Sequence, residues 1–308
     1  MNLVSSVKQA TRKLSYALAM PLERLVSLSP SISKSLDLAR SDTRISQLVL
    51  KQQYAAVRNG LAPPMTFGDV EFRAYSQNGE DGILLYIFSL IGFETRRTVE
   101  VCAGDGIECN SANLIINHGC YGLLVDGDPA RIKRGQHFYH NCRDTCYWPP
   151  KLVNAWISCE SINALIEDNG FAGEVDLLSI DVDGMDYWIW REINVIRPRV
   201  VVLEFNHLWG PERSVTVPYD AHFRAQYNAY GADYCGASLT AMVKLGRAKG
   251  YRLIGCEKYG FNAFFLREDL APGLFREISP AECFNHPRAR FGMLNRLPSV
   301  VGRDWSEV

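Results

Sequence analysis

The 308-residue sequence has no run of about 18 apolar residues, so no segment of it reads as a membrane span. The first 28 residues carry Lys8, Arg12 and Lys13, but polar residues interrupt them throughout. They lack the continuous apolar centre of a secretion signal, and a cytoplasmic location is expected. Cysteine pairs of the CxxC type are missing as well. Nine cysteines, an odd number, are scattered at 102, 109, 120, 142, 146, 159, 235, 256 and 283. A chain this long needs no disulfide staples, which favours a reducing compartment. His137, His140, Cys142 and Cys146 match no standard zinc module and read as an amphipathic segment. Net charge is nearly absent too: 33 Lys and Arg face 34 Asp and Glu. No nucleic-acid partner is expected from that balance. There is no internal repeat and no low-complexity tract.

The charge is unevenly placed. Residues 1–60 hold nine Lys or Arg and three Asp or Glu, a surplus of six, which leaves −7 for the rest. Two helices are expected, over 3–27 and 31–58, closed by Asn59-Gly60 and followed by Pro63-Pro64. Residues 1–62 therefore read as a basic helical leader. Such a leader suits peripheral contact with an anionic membrane, and equally a solvated helical hairpin. Residues 63–308 read as one α/β domain.

Within that domain apolar strands and amphipathic helices alternate. Strands are expected at 97–102, 121–126, 151–157, 175–181, 199–205, 251–256 and 261–266. Helices are expected near 108–118, 129–139, 161–169, 186–194 and 237–249. The alternation implies a doubly wound, mostly parallel sheet covered on both faces, with ligands gathering at the carboxyl ends of the strands.

Two stretches carry chemistry. The first is Thr98-Val-Glu-Val-Cys-Ala-Gly-Asp-Gly106, followed by Leu123-Leu-Val-Asp-Gly-Asp128. It reads as strand, glycine turn, helix and a second strand ending in acid. The glycines admit a ligand close to the backbone, and the acid at the second strand tip suits ribose hydroxyls. Cys109 stands where a dinucleotide fingerprint needs its third glycine, and Asp105 and Glu108 are poor neighbours for phosphate. Glu100 suits the ammonium of a methionine-type cofactor better than a pyrophosphate. S-adenosylmethionine is the cofactor expected; an NAD(P)-dependent oxidoreductase and a non-catalytic scaffold of the same fold are the alternatives.

The second stretch is Val175-Asp-Leu-Leu-Ser-Ile-Asp-Val-Asp-Gly-Met-Asp186, with Arg199-Val-Val-Val-Leu-Glu-Phe-Asn-His207 on the next strand. If those strands are neighbours, Asp181, Asp183, Glu204, Asn206 and His207 meet at one rim. Oxygen ligands from Asp181, Glu204 and Asn206 would suit Mg²⁺; without metal, the acids would position cofactor and substrate. Asp183 and Asp186 also fit the role of helix caps. His207 is the candidate base, with a carboxylate nearby expected to raise its pKa, and His222 is a weaker second choice. The insertion over 207–235 carries Trp209, Tyr219, Phe223, Tyr227, Tyr230 and Tyr234. These suit a sugar or aromatic acceptor, or a satellite cluster under a long loop.

On these residues the chain resembles the FkbM-type S-adenosylmethionine-dependent methyltransferases. The matching segments are Ser76-Gln-Asn-Gly-Glu-Asp-Gly-Ile-Leu84, Val99-Glu-Val-Cys-Ala-Gly-Asp-Gly106, Leu123-Leu-Val-Asp126, Leu177-Leu-Ser-Ile-Asp-Val-Asp-Gly184 and Val200-Val-Val-Leu-Glu204. The likeness spans about 70–267. It implies a Rossmann-like methyltransferase fold, with cofactor held by Glu80, Glu100, Ala103, Gly104, Gly106, Asp126 and Asp128. It places Asp181 beside the transferred methyl; His207, from its place after the next strand, is the expected catalytic companion. The expected acceptor is a hydroxyl of a small molecule, sugar or glycan precursor, as in polysaccharide biosynthesis. Cys102 departs from the family pattern, which has glycine there.

Overall fold

The structure, a computed structural model, describes residues 30–229 and 231–308, with side chains from residue 43 onward. The helix expected over 3–27 lies outside the described residues. The chain divides into two compact units, 1–52 and 53–308. In the first, the described part is helical from Pro30, and that helix continues into the second unit to Arg58.

The second unit is built on a seven-stranded sheet. Its strands are β1 (Arg97–Val101), β2 (Tyr121–Asp126), β3 (Lys151–Asn154), β4 (Gly173–Ile180) and β5 (Ile196–Glu204), then β9 (Tyr251–Cys256) and β10 (Asn262–Arg267). Between β5 and β9 lie three two-residue strands: β6 (Val215–Thr216), β7 (Tyr227–Asn228) and β8 (Gly231–Ala232). The last strand, β11 (Ser306–Glu307), pairs with β6. Strand order in the main sheet is β3-β2-β1-β4-β5-β10-β9, with β1 to β5 parallel and β10 antiparallel to both neighbours. This is the doubly wound, mostly parallel, Rossmann-like sheet expected. The order reverses between β1 and β4, which makes their carboxyl ends the switch point where such folds bind ligands.

The strands are buried because helices cover both faces. Val99, Leu123, Leu178, Val201 and Phe265 are all 0–1% exposed, as continuous apolar strand runs require. Local signals set the helix limits. Asp128 caps helix Pro129–Asn141 by accepting the N–H groups of Ala130 and Arg131, with proline at its first turn. Ser238 caps helix Leu239–Ala248 through Ala241 N–H. Gly119, at φ +68°, ends helix Ala112–His118 in the left-handed conformation that glycine adopts without penalty.

The amino edge of the sheet is clamped by one ion pair. Asp176, fully buried on β4, accepts N–H groups of Glu94, Thr95 and Arg96 and pairs with Arg199 at 2.8 Å. Arg199 also holds the carbonyls of Ile91 and Gly92. The loop entering β1 is thereby tied to β4 and β5, leaving the carboxyl edge for the site.

The last turn of helix Pro30–Arg58 packs in the domain core. Tyr54 and Val57 are 3% and 4% exposed, and the Tyr54 ring meets the Tyr86 ring edge-on at 5.0 Å. A chain beginning at Gln53 is therefore expected to unfold in urea at a higher midpoint than one beginning at Ala62. The difference should be about 2–5 kcal/mol, the burial value of those two side chains; equal midpoints would place the domain's edge at residue 62.

Candidate functional site at the carboxyl edge

Carboxylates surround the carboxyl edge, and their hydrogen bonds sort them into two groups; the first is buried, while in the second Asp181 and Glu204 are half-buried and Asp183 is exposed. Most accept backbone N–H groups and thereby fix loops. Glu100, at 5% exposure, accepts from Asn110 at 2.9 Å and Ser111 at 2.6 Å, holding the start of helix Ala112–His118. Burial pushes its pKa up, opposed by those bonds. Asp81 takes the N–H groups of Ala74, Tyr75 and Ser76. Glu80, fully buried, accepts from Asn78 and from the Asn262 side chain. Asp186 takes Val182 and Gly184 N–H, so it caps its own turn.

The glycine turn is shaped by Asp126. Its two oxygens accept Gly104 N–H at 2.9 Å and Asp128 N–H at 2.8 Å. This closes the β1 turn onto the tip of β2. Ala103 N–H bonds Val125 O, which continues the β1–β2 pairing into the turn. Gly104 and Gly106 have φ of +61° and +71°. A Cβ at Gly104 would meet nothing nearer than the Arg131 side chain at 3.9 Å, so the turn is open on that side. At Gly106 a Cβ would meet Leu124 at 2.7 Å, so that glycine is needed for packing. Trp156, just after β3, is 49% exposed and packs on Gly127, with its indole N–H bonded to Ala221 O.

Asp181, Asp183 and Glu204 form the second group. Among the described residues no backbone N–H is donated to their side chains, yet one ligand oxygen from each lies within 4.8 Å of the others. Asp181 N–H bonds Val101 O, which places the group beside the glycine turn. Asp181 and Glu204 sit close enough for the charge on Asp181 to favour a proton on Glu204. Burial and then Asp183 push Asp181 up to about 6. Burial and then Asp181 push Asp186 up to about 7. Glu204 is raised by burial and then by Asp181. No cation lies close enough to pair with Asp181, Asp183 or Glu204 among the described ion pairs.

Asp181 and Glu204 thus come together as expected, but the third member is Asp183. The chain leaves β4 at Ile180 and turns, with Asp183 at φ +52°, so a turn and not strand alternation joins the two aspartates. The Asn206 side chain is committed elsewhere. Its amide donates to Asp233 O and Cys235 O and accepts Leu208 N–H. His207 is 6% exposed in the turn His207–Trp209, packed against Gly292. The carboxylate expected near it is replaced by two guanidinium groups. Burial, then Arg288 and Arg296, lower its pKa to about 3. His222 is exposed.

The insertion over 207–235 is chiefly a structural cluster. Trp209 and Tyr234 both pack on Trp305, at 4.9 and 5.1 Å. Tyr219 O–H reaches Glu160. Tyr230 lies outside the described residues. Tyr227 differs, because it lines a cavity of about 130 Å³ together with Asp183, Glu204, Phe261, Arg288 and Arg296. Trp156 and Arg288 carried no motif in the sequence. The four residues Asn285-His286-Pro287-Arg288 show only the proline of a helix start, 84 residues from Glu204. His137, His140, Cys142 and Cys146 form no ligand group; among the described residues only the acidic trio does. No described helix is long and apolar enough to cross a membrane.

The chain folds as a Rossmann-like α/β sheet with a candidate site of acidic residues at its carboxyl edge. No family model matches the chain, and no curated protein matches it. Among solved structures it is similar to an S-adenosylmethionine-dependent methyltransferase from Clostridium acetobutylicum, with 10% identity, 63% of this chain and 91% of that one covered, and a TM-score of 0.39. It is similar to a precorrin-6y C5,15-methyltransferase from Geobacter metallireducens, with 14% identity, 65% and 95% covered, and a TM-score of 0.37. A magnesium protoporphyrin IX methyltransferase from Synechocystis is similar at 9% identity, 61% and 77% covered, and a TM-score of 0.37.

Two outcomes follow from this geometry. Cys102 has φ +63°, a conformation costing a non-glycine residue about 1–2 kcal/mol. Glycine's looser unfolded chain offsets about 0.5–1 kcal/mol of that. Cys102→Gly should leave stability unchanged or raise it by up to about 1 kcal/mol in urea unfolding, and a clear loss would show that the thiol contributes packing. The acids give a pH signature. Asp181's folded pKa lies above its unfolded 3.8, at about 6, so the native state binds the extra proton and stability falls as pH rises through that window. His207 acts oppositely, its folded pKa being below its unfolded one, and wild type alone mixes the two effects. The stability of Asp181→Asn minus that of wild type should therefore grow between about pH 4 and pH 7. A difference flat with pH would remove the buried charge from the account.

Proposed function

We propose that this chain is an S-adenosylmethionine-dependent O-methyltransferase of FkbM type, acting on a hydroxyl of a small molecule, sugar or glycan precursor. The observation that carries this reading is the acidic trio. It is the one group of edge carboxylates not used to fix a loop, and it adjoins an open glycine turn. Clustered carboxylates without cationic partners favour a positively charged ligand.

The residues suit the cofactor. A carboxylate offers about four acceptor sites, and Asp126 uses two, so ribose hydroxyls can take the others. Gly104 leaves the turn open to close approach. Trp156 offers a partly exposed aromatic face two residues beyond the end of β3, suited to stacking a purine. Asp181 and Asp183 lie where an ammonium or sulfonium would be drawn. Glu80 and Glu100 support the site from behind, through Asn262 and the 110–111 turn, and Asp128 acts as a helix cap. S-adenosylmethionine would supply the methyl group.

Asp181, its pKa raised toward neutrality, gives the site its base. As the acceptor oxygen bonds to the methyl carbon, the carbon–sulfur bond would break with its electron pair leaving on sulfur, as S-adenosylhomocysteine, and the hydroxyl proton would pass to Asp181. His207 stays neutral at physiological pH and holds a proton weakly, so it reads as a wall of the cavity. Three carboxylates this close also suit Mg²⁺, which would make metal a second way to neutralise the same charge.

Calorimetry with S-adenosylhomocysteine tests the reading. Asp126→Ala should weaken binding by about 1.5–3 kcal/mol, the scale of charge-assisted hydrogen bonds. Trp156→Ala should weaken it by about 1–3 kcal/mol, the scale of stacking on a base. Unchanged affinity in both variants, or no binding to wild type, would remove the proposal. Repeating the titration with EDTA and with added Mg²⁺ separates the metal arm.

A further inference from the structure

The cavity beside the acidic trio has a second pole that methyl transfer to a neutral hydroxyl does not require. Its lining includes two arginines as well as Asp183 and Glu204. Arg296 is spoken for, paired with Asp233 in a buried contact. Arg288 has no carboxylate within ion-pair reach among the described residues. One of its amino groups donates to Tyr259 O at 2.9 Å, and the guanidinium lies over the Phe261 ring, 3.5 Å from its centroid. Its Nε and other amino group have no partner among the described residues. Burial, then Arg296, pull its pKa down to about 10, so it stays charged at neutral pH without a counterion.

Arg288 is also held in place. The turn carrying Tyr259 and Phe261 is organised by buried Glu257, which accepts the N–H groups of Tyr259, Phe261 and Asn262. Asn262 in turn opposes Glu204 in the β5–β10 register. The lining of one small cavity therefore includes both carboxyl groups and a fixed guanidinium whose Nε and second amino group are unpartnered among the described residues. A neutral acceptor filling it would bury the guanidinium without a counter-charge, which is costly. An oxyanion would meet two free N–H donors in a planar fork.

We propose that the acceptor carries an anionic group, a carboxylate, phosphate or sulfate, near its reacting hydroxyl, and that Arg288 receives that group. Acidic sugars such as uronic acids and sugar phosphates belong to this class. The inference rests on the transferase reading for the role of the cavity, and extends it to acceptor chemistry.

The test compares matched pairs by binding and by transfer: glucuronate, glucose 6-phosphate and glucose 6-sulfate against glucose, each titrated into the full-length protein with S-adenosylhomocysteine bound, then assayed with methyl-labelled cofactor. At least one anionic probe should bind about tenfold or more tightly than glucose. Arg288→Gln should abolish that preference, Arg288→Lys should keep part of it, and both should bind S-adenosylhomocysteine as wild type does. Equal binding of neutral and anionic probes, binding of none of them, or a preference that survives Arg288→Gln would overturn the proposal. Should S-adenosylhomocysteine itself not bind, the transferase reading fails first; anion binding that depends on Arg288 would then still identify the pocket.

Discussion

A buried carboxylate must find hydrogen-bond donors, and in this protein the nearest donors are the unpaired backbone N–H groups of the loops. Each demand satisfies the other. Asp176 gathers three such groups before β1, Asp81 gathers three before helix Glu80–Ile91, Asp126 shapes the glycine turn, Glu100 holds the start of helix Ala112–His118, and Glu257 shapes the turn before β10. The sheet supplies rigidity, and these acids convert strand ends into defined loops. Without them the carboxyl edge would be a set of strand tips with no fixed geometry.

That rule also isolates what is exceptional. Asp181, Asp183 and Glu204 share the neighbourhood of the other acids without their backbone donors; Asp181 and Glu204 are half-buried and Asp183 is exposed. Bringing like charges together in a desolvated place opposes folding unless protons or a cation intervene. The raised pKa of Asp181 and Asp186 shows protons filling that role. In the lining of the same cavity, Arg288 carries the opposite imbalance. The domain core tolerates both because the clamped amino edge and apolar strands are stable apart from them.

The sheet was legible because its strands are continuous apolar runs and its helices carry Ser238, Asp128 and Gly119 as start and stop signals. All seven main strands fall within three residues of their expected limits. The site was legible only as far as adjacency along the chain reached. Asp181 and Glu204 follow apolar strands that pair directly. Asp183 read equally as a cap, because the left-handed turn that returns it to the group leaves no mark in a sequence of aspartates. Asn206 and His207 were indistinguishable from ligands until their partners were seen, since a side chain's commitment to Cys235 O or to Gly292 is a fact of packing. Trp156 and Arg288 belong to segments brought in by topology, and no local spacing announces them.

The turn held by Glu257 fixes Arg288 through Tyr259 and Phe261, before any ligand arrives. A recognition group set in advance loses little conformational freedom on contact. Selectivity at that pole is then expressed in how long a ligand stays and little in how fast it arrives. The guanidinium acts as a fixed gauge, comparing each occupant with one shape and one charge.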